Sequence, residues 1–261
     1  MSLTTENVLT INGGSSSIKF AVYQTGTPLQ RRLSGKIERI GLSGTTLSYN
    51  NTNSGQQDSF SIAAADHTAA ANILIAWLKQ QIGKIQLSAV GHRVVHGMSH
   101  TQPELVTKVL LKELHRISSY DPDHLPLEIK LIEAFQRRFP QLPQVACFDT
   151  AFHHTLPRVA KLLPIPRRFD AMGIQRYGFH GLSYEYLLQE LERQAGAAAA
   201  RGCVILAHLG NGASLAAASN GQSIDTSMGF TPTGGVTMGT RTGDLDPGVA
   251  WYLMQIGRAH V

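Results

Sequence analysis

One local pattern occurs twice in this chain and constrains its fold more than any other feature. Near the start, the apolar run Val8–Asn12 leads into a polar, glycine-containing loop, and a second apolar run, Ile18–Tyr23, follows. The chain from Cys203 onward repeats this order, and Asn220-Gly221 gives a hairpin signal before a third strand. Two copies of strand, polar loop, strand, turn and strand predict a duplicated α/β domain with a ligand between the halves.

The spacing of apolar residues predicts the elements between these two copies. Further strands are expected over 33–40, 88–95 and 145–149, and helices over 66–81, 105–117, 125–139 and 182–194. The polar stretch 42–61 is interpreted as hairpins or an exposed loop, and the alanine-rich stretch 195–200 as a linker. Asp246 followed by Pro247 is typical of the start of a helix, with the aspartate as N-cap.

Composition excludes several classes of protein. With 261 residues, 43% hydrophobic and 16% charged, the chain can build a sizeable core and is neither disordered nor a coiled coil. It has no apolar run long enough to cross a bilayer, no basic and apolar leader at its start, and only two cysteines, Cys147 and Cys203. We therefore expect a cytoplasmic enzyme with no membrane partner.

The net charge of +5 is spread along the chain in pairs such as Arg31-Arg32. Nucleic-acid binders concentrate positive charge in a stripe with aromatic residues, so no nucleic-acid partner is expected. A mildly positive field suits small anionic substrates equally well.

Two motifs resemble metal or phosphatase sites without matching them. His92, His96 and His100 have helical spacing, but the glycines and β-branched residues around them predict a strand that ends in a loop, which argues against zinc. Asp244 and Asp246 resemble a phosphatase motif, but no apolar strand precedes them.

Polar and cationic residues at strand ends and in loops point to phosphate chemistry. The loop NGGSSSIK, Asn12 to Lys19, offers free backbone N–H groups, hydroxyls and a lysine, although it is not a Walker A loop. Arg93 lies in a buried strand, so it needs either a carboxylate partner or an anionic ligand. Together with Asp149, His180 and Arg241, these residues fit phosphoryl transfer.

Six strings spread over nearly the whole chain resemble the signatures of the acetokinase family and occur in that family's order. They are NGGSSSIKF, GHRVVHGM, FDTAFH, RYGFHGLS, HLGNGAS and TPTGGVTMGTRTGDLDPG. The resemblance implies the duplicated α/β architecture shared by acetate and sugar kinases, heat-shock cognates and actin (ASKHA). It predicts two domains, 1–150 and 151–261, with a central cleft and an incomplete second domain.

The resemblance also implies roles for individual residues. Asn12 would help to place Mg²⁺ or Mn²⁺. Arg93 and Arg241 would clamp the substrate and the transition state, His180 would donate to the moving phosphoryl group, and Asp149 would be the catalytic aspartate. The expected ATP-binding residues are Lys19, His208, Leu209, Gly210, Asn211 and Gly212, and the expected substrate-binding residues are Arg93, Val95, His124, Phe179 and Pro232.

The function implied is direct in-line phosphoryl transfer between ATP and acetate, giving ADP and acetyl phosphate, by an enzyme that is a homodimer at full length. Propionate or butyrate as substrate, and a non-catalytic nucleotide-binding protein, are the alternatives. Asp123 and Leu125 depart from the family's usual residues beside His124, which leaves the choice of acid open.

The chain stops at Val261, whereas the family continues. Residues 256–261 also equal the translation of a common sequencing-adapter oligonucleotide, so we expect the natural sequence to end at about Gln255 in this chain. The adenosine loop and a second metal-ligating glutamate are then absent, and the chain alone is expected to be poorly stable and inactive.

Overall fold

The chain forms two compact units in the computed structural model, which describes residues 6–82 and 86–257. The first unit comprises the residues up to His96 together with Gln102–Phe148. The second unit comprises Gly97–Thr101 and the residues from Asp149 onward. Of the six C-terminal residues that the sequence analysis sets apart, the last four lie outside the described residues.

An eight-stranded sheet organises the first unit, in the order β5-β4-β3-β2-β1-β6-β8-β7. β6 runs parallel to both β1 and β8, and the other neighbours are antiparallel. The strands are β1 (Asn7–Gly13), β2 (Ser17–Gln24), β3 (Gln30–Glu38), β4 (Thr46–Asn51), β5 (Gln56–Ser61), β6 (Leu87–Val94), β7 (Glu104–Leu105) and β8 (Gln144–Phe148). The helices are α1 (His67–Ile82), α2 (Lys108–Ile117) and α3 (Leu125–Arg138), with a 3₁₀ turn at Ser118–Tyr120.

The core of this unit follows from strand alternation. Leu9 and Ile11 of β1 are buried, and the equivalent positions of the neighbouring strands form one apolar cluster with α1 and α3. The Trp77 ring of α1 contacts the rings of Phe20 and Tyr49, with centroids 5.5 and 4.8 Å apart. The side chains that alternate with these, including that of Asn12, face the other side of the sheet and therefore lie outside this core.

One helix boundary in the first unit differs from the sequence prediction. Helix α2 begins at Lys108 rather than near residue 105, because Leu105 pairs in the edge strand β7 and the Thr107 side chain caps the helix by accepting from Leu110 N–H. The polar stretch 42–61 contains a regular hairpin, β4–β5, which extends the sheet, and this confirms the first of its two interpretations. The remaining strands and helices predicted for this unit are confirmed.

The second unit carries a three-stranded antiparallel sheet, in the order β11-β10-β9. The alanine-rich stretch predicted to be a linker contains a short helix, because alanine has the highest helix propensity. The elements are a 3₁₀ turn (Ala151–Thr155), α4 (Arg158–Lys161), α5 (Arg167–Ala171), α6 (Gly181–Ala195), α7 (Ala197–Arg201), β9 (Cys203–Leu209), β10 (Ala213–Ser219), β11 (Gln222–Thr226) and α8 (Pro247–Gln255).

The repeated local pattern is present in both units. β1, β2 and β3 form an antiparallel meander in the first unit, and β9, β10 and β11 form one in the second. The turn after β10 has positive φ at both Asn220 and Gly221, 52° and 76°, as the hairpin signal requires. The predicted N-cap of α8 is confirmed, since the Asp246 side chain accepts from Gly248 N–H at 2.8 Å.

No helix within residues 6–82 and 86–257 combines the length and apolarity needed to cross a membrane.

His92, on β6, is a buried ionisable group in the core of the first unit. Its Nε2 donates to Gln144 Oε1 at 2.8 Å, and its ring packs edge-on against Phe135. Burial lowers the pKa of His92 to about 4, and the bond to Gln144 opposes this effect only in part. The imidazole is therefore neutral at pH 7, as its place in a strand core requires.

This neutral histidine predicts how stability depends on pH. The unfolded chain binds the proton at about pH 6.5 but the folded unit does not, so the free energy of unfolding falls as pH drops from about 6.5 to about 4. Between pH 7 and pH 5 the loss is about 2 kcal/mol. Urea unfolding of wild type and of His92→Gln, which cannot be protonated, measures it. An equal pH dependence in both proteins would contradict the assignment.

Candidate functional site

In the first unit, strand register brings Asn12 and Arg93 together. β1 and β6 run parallel with Ile11 beside His92, so Asn12 and Arg93 are neighbours at the carboxyl ends of two parallel strands. Arg93 Nη1 donates to Asn12 Oδ1 at 3.1 Å. Arg93 therefore has an amide oxygen as one of its partners, and its guanidinium carries five N–H donors in all.

Lys19 joins this group through the β1–β2 hairpin. It is the cross-strand partner of Asn12, so the two side chains share one face of the sheet, and Lys19 is exposed. This edge of the first unit thus carries one exposed ammonium beside one half-buried guanidinium.

Helix α3 and its N-cap contribute two further residues to this group. Its buried Glu128 accepts the backbone N–H of Val95 at 2.9 Å, which fixes the chain just after Arg93. His124 occupies the N-cap position of the same helix. The set Asn12, Lys19, Arg93, His124, Asp121 and Glu128 is called the Arg93 cluster below.

His124 is held by Asp121. His124 Nδ1 donates to Asp121 Oδ1 at 2.9 Å, and the aspartate is only 4% exposed. This hydrogen bond raises the pKa of His124; burial opposes the rise, as does the charge of Arg93, whereas the charges of Asp121 and Glu128 support it. The Arg93 cluster therefore favours a second cation beside the guanidinium.

In the second unit, two glycines shape the backbone around His180. A Cβ on Gly181 would lie 2.2 Å from the Asp149 carbonyl oxygen, which accepts Gly181 N–H at 2.8 Å. Gly178 has φ +72°, and a Cβ there would lie 2.6 Å from His153 Cδ2. Only glycine fits at these positions, and His180 between them adopts a left-handed conformation with φ 62°.

His153 fixes the residue just before His180. Its Nε2 donates to the Phe179 carbonyl at 3.1 Å, so its Nδ1 accepts from Ser223 Oγ at 2.8 Å. Burial lowers the pKa of His153 to about 4, and the bond to Phe179 and the charge of Asp149 oppose this in part. A neutral imidazole thus positions the backbone of Phe179.

The His180 ring is held on two sides. Its Nδ1 lies 2.8 Å from Ser214 Oγ, and its plane stacks on His208 with centroids 4.0 Å apart and 22° between the planes. His208 is the cross-strand partner of Ser214, and its own Nδ1 lies 3.0 Å from Ser183 Oγ.

A glycine faces the outer edge of His180. A Cβ on Gly212 would lie 3.1 Å from His180 Nε2 and 3.3 Å from Arg241 Nη1. Two nitrogen donors from distant parts of the sequence therefore converge beside one residue that has no side chain. His180, His208, Gly212, Ser214 and Arg241 are called the His180 cluster below.

The loop that carries Arg241 is tightly folded. Arg241 Nη1 donates to the Pro232 carbonyl at 2.9 Å, and Gly235 N–H donates to Asp244 Oδ1 at 2.7 Å. A Cβ on Gly243, which has φ +70°, would lie 2.4 Å from the Gly235 carbonyl oxygen. The guanidinium is thus held by a compact loop.

The other expected site residues differ in exposure. Val95 and Phe179 are buried, at 2% and 1%, within their own units, and Pro232 is half-buried. In the loop after β9, Leu209, Gly210 and Asn211 are exposed, and Gly210 N–H donates to the Gly212 carbonyl at 3.0 Å. The expected residues therefore divide between the two units. Asn12, Lys19, Arg93, Val95 and His124 belong to the first, and Asp149, Phe179, His180, His208–Gly212, Pro232 and Arg241 to the second.

The described side chains do not by themselves form a metal site. Across residues 6–82 and 86–257, no three His, Cys, Asp or Glu side chains form a group that could hold one. His92 and His96 lie buried in and just after strand β6, as the strand prediction requires. Asn12 Oδ1 already accepts a hydrogen bond from the Arg93 guanidinium. It is therefore better suited to a metal ion whose other ligands come with the substrate than to a metal ion held by the protein alone.

Considered separately, each of the two clusters carries the positive groups and hydrogen-bond donors that suit an anionic ligand. The Arg93 cluster presents a guanidinium, an ammonium and an imidazole supported by a buried carboxylate, and the His180 cluster presents an imidazole and a guanidinium beside a glycine. Such arrays of fixed donors are typical of enzymes that act on phosphate and carboxylate groups.

Comparison with known proteins agrees with this class, and the chain belongs to the acetokinase family. The sequence model of that family matches residues 7–259. An acetate kinase of Rhodopseudomonas palustris is 44% identical over 252 residues, which cover 95% of this chain and 63% of that protein. Acetate kinase 2 of Vibrio cholerae is 43% identical, with 96% and 63% covered. The chain thus spans about 63% of the length of these relatives.

Solved structures of the family share the fold. A propionate kinase from Francisella tularensis superposes with a TM-score of 0.87 at 33% identity, covering 97% of this chain and 65% of that one. The acetate kinase of Porphyromonas gingivalis gives 0.82 at 34% identity, covering 97% and 64%. The expected fold class is confirmed as an incomplete form of the ASKHA-type α/β fold.

Sequence reasoning missed several residues that hold the site together. Asp121, Glu128, His153 and Ser214 each hydrogen-bond a group of an expected site residue, and Tyr184 hydrogen-bonds Ser214. The predicted helix over 182–194 begins after His180, and His180 is the left-handed N-cap residue of α6, so residue spacing gave no signal that Tyr184 and His180 are connected.

The Asp121–His124 pair gives a testable consequence. Asp121→Asn removes the negative partner, so the pKa of His124 falls, and the charge on His124 near neutral pH falls with it. Stability that this pair contributes is present at low pH and is lost as pH rises through the raised pKa of His124. NMR titration of the His124 ring measures the shift.

Asp123→Asn is the matched control, because Asp123 is exposed and lies in the same turn. It should leave the titration of His124 nearly unchanged. Equal shifts in the two variants would contradict a specific role for Asp121.

Proposed function

We propose that the protein of which this chain is a part transfers the γ-phosphoryl group of ATP to acetate, reversibly and in line, giving acetyl phosphate and ADP. The observation that carries the proposal is the convergence of His180 Nε2 and Arg241 Nη1 beside Gly212. The membership of the chain in the acetokinase family supports it.

The proposed reaction depends on hydrogen-bond donors and positive charges more than on a general base. Acetate has a pKa of about 4–5, so it is already ionised at pH 7 and needs no proton removed. The obstacle is the approach of a carboxylate to a polyanionic triphosphate, and fixed positive groups reduce this repulsion. In the proposal Arg93 and His124 orient the carboxylate, whereas Arg241 and the Nε2–H of His180 stabilise the charge on the transferring phosphoryl oxygens.

The remaining expected residues take supporting roles in this proposal. Val95, Phe179 and Pro232 bound the methyl group of the acid. Lys19 and the loop from His208 through Leu209, Gly210 and Asn211 to Gly212 bind the phosphates of ATP. Asp149, buried directly after β8, orients a neighbouring group rather than taking a proton from acetate.

The metal enters this proposal as part of the substrate, Mg·ATP, with Mn²⁺ as a substitute. Mg²⁺ commonly binds through phosphates and waters with one or two protein oxygens, and Asn12 is the oxygen this chain would offer. We also propose, from the family, domains near 1–150 and 151–261, a cytoplasmic homodimer at full length, and no nucleic-acid or membrane partner.

Propionate is the second candidate substrate. One structural relative is named a propionate kinase, and Asp123 and Leu125 beside His124 depart from the family's usual residues. Relative kcat/KM for acetate, propionate and butyrate, measured by trapping the acyl phosphate with hydroxylamine, decides between the acids.

Arg241→Ala tests the charge-stabilising role. Removal of one preorganised charge donor should lower turnover about 10²–10³-fold with a smaller change in KM, because the interaction strengthens in the transition state. The hydroxylamine assay with ATP, Mg²⁺ and acetate measures it.

Arg201→Ala is the matched control, since Arg201 is an exposed arginine at the end of α7 in the same unit. A drop of less than fivefold in Arg241→Ala, or an equal drop in both variants, would contradict the role. If the 261-residue chain has no turnover, the same variants are compared for Mg·ATP binding by calorimetry, and absent binding in wild type would count against the proposal.

Gly212→Ala tests the space between the two donors. The new methyl group would lie within 3.1–3.3 Å of His180 Nε2 and Arg241 Nη1, so it should weaken Mg·ATP binding or turnover at least tenfold while leaving the fold intact. Gly229→Ala is the control, because a Cβ there meets no atom within 4 Å. Unchanged function in Gly212→Ala would show that no ligand occupies this space.

A further inference from the structure

We propose that Tyr184 and Ser214 form a hydrogen-bond relay that fixes the His180 imidazole as the tautomer with its proton on Nε2. The two hydroxyl residues are then positioning residues, because they act on the phosphoryl group only through His180. The role of the relay in catalysis rests on the proposed function, whereas its existence does not.

The three side chains form a continuous line in the second unit. The Tyr184 hydroxyl bonds Ser214 Oγ, and Ser214 Oγ lies 2.8 Å from His180 Nδ1. Tyr184 and Ser214 are both fully buried, at 0% exposure. Tyr184 lies on α6 one turn after His180, and Ser214 lies on β10, so a helix and a strand hold the line in place.

The direction of the relay follows from counting protons. Each hydroxyl has one proton to donate, and burying a hydroxyl proton without an acceptor is unfavourable. Within the described part of the chain, Ser214 Oγ is the acceptor available to the Tyr184 hydroxyl. Tyr184 therefore donates to Ser214, and Ser214 has its own proton left for His180 Nδ1.

The electrostatics of Tyr184 agree with this direction. Burial raises the pKa of the Tyr184 hydroxyl, with the Ser214 bond opposing and the charge of Asp149 adding to the rise. The phenol thus keeps its proton and acts as the donor at the inner end of the line.

An accepting Nδ1 decides where the imidazole proton lies. A neutral ring whose Nδ1 accepts from Ser214 carries its proton on Nε2, which is the nitrogen nearest Gly212 and Arg241. A doubly protonated ring would need Ser214 to accept from Nδ1, and the serine proton would then compete with that of Tyr184. The relay therefore selects a neutral donor aimed at the space beside Gly212.

Stacking on His208 and the left-handed backbone complete the constraint. The two rings are nearly parallel, and φ of 62° at His180 sets the direction of its Cβ. The Ser183 hydroxyl beside His208 Nδ1 holds the second ring in the same manner. Plane, position and tautomer of His180 are thus each fixed by a different contact.

The experiment reads the tautomer directly. Long-range ¹H–¹⁵N correlation spectra of the chain labelled at histidine nitrogen, at pH 7.5 and without ligand, show which ring nitrogen carries the proton. His180→Gln assigns the signals. We expect wild-type His180 to carry its proton on Nε2, with an Nδ1 shift typical of a hydrogen-bond acceptor.

Tyr184→Phe removes one oxygen and frees the Ser214 hydroxyl to turn. The ratio of the Nε2–H to the Nδ1–H tautomer should then fall about fivefold to tenfold. Tyr186→Phe is the matched control, because Tyr186 lies on the same helix and is 62% exposed, so it should leave the ratio unchanged. Ser214→Ala should remove the acceptor signature at Nδ1, and Ser214→Thr, which retains the hydroxyl, should restore it.

A proton on Nδ1 in wild type, a charged ring at pH 7.5, or equal ratios in Tyr184→Phe and Tyr186→Phe would overturn the relay. The proposed function is tested by separate measurements. If the hydroxylamine assay and Mg·ATP binding are both negative, the proposed function fails. The relay still stands if the Nε2–H tautomer is observed in wild type and decreases in Tyr184→Phe.

Discussion

The candidate site of the second unit depends on the hydrogen bond between Gly181 N–H and the Asp149 carbonyl. No side chain fits between these two backbone segments, since a Cβ would approach the carbonyl oxygen to 2.2 Å. This contact places the start of α6 directly against the turn that carries Asp149. His180, the residue before Gly181, is then forced into a left-handed conformation, and its ring meets Ser214 and His208 of the small sheet. The absence of a side chain at Gly181 thus helps to determine the position of the imidazole of the residue before it.

The Arg93 cluster of the first unit depends on strand register instead. Asn12 and Arg93 meet because β1 and β6 are parallel and paired one residue before these positions. Buried carboxylates then arrange the rest: Glu128 holds the backbone at Val95, and Asp121 holds His124. The Asp121 carboxylate holds the His124 ring in a defined position, and the Glu128 carboxylate fixes the backbone that follows Arg93.

Histidine serves opposite purposes in these two units, and burial decides which. His92 and His153 are enclosed and neutral, with the pKa of each lowered to about 4, and both act through hydrogen bonds to an amide or a carbonyl. His124 is partly exposed and next to a carboxylate, which raises its pKa. All three residues are histidines, so residue type alone does not separate a structural histidine from one that faces a ligand.

Much of the fold was predictable from short-range information. The strands at 8–12 and 203–207, the hairpin at Asn220-Gly221 and the cap at Asp246 follow from local apolar spacing and turn chemistry, and the structure confirms them. The predicted start of α2 was wrong because Leu105 pairs in an edge strand. The predicted linker at 195–200 was wrong because the high helix propensity of alanine favours a helix over 197–201. By itself the sequence determined the types of element, the two repeated meanders and the family. Only the tertiary structure decided that Ser214 and Tyr184 meet His180 and that Asp121 holds His124, because hydrogen-bond partners are chosen by distances of a few ångströms between elements and by burial, neither of which sequence spacing contains.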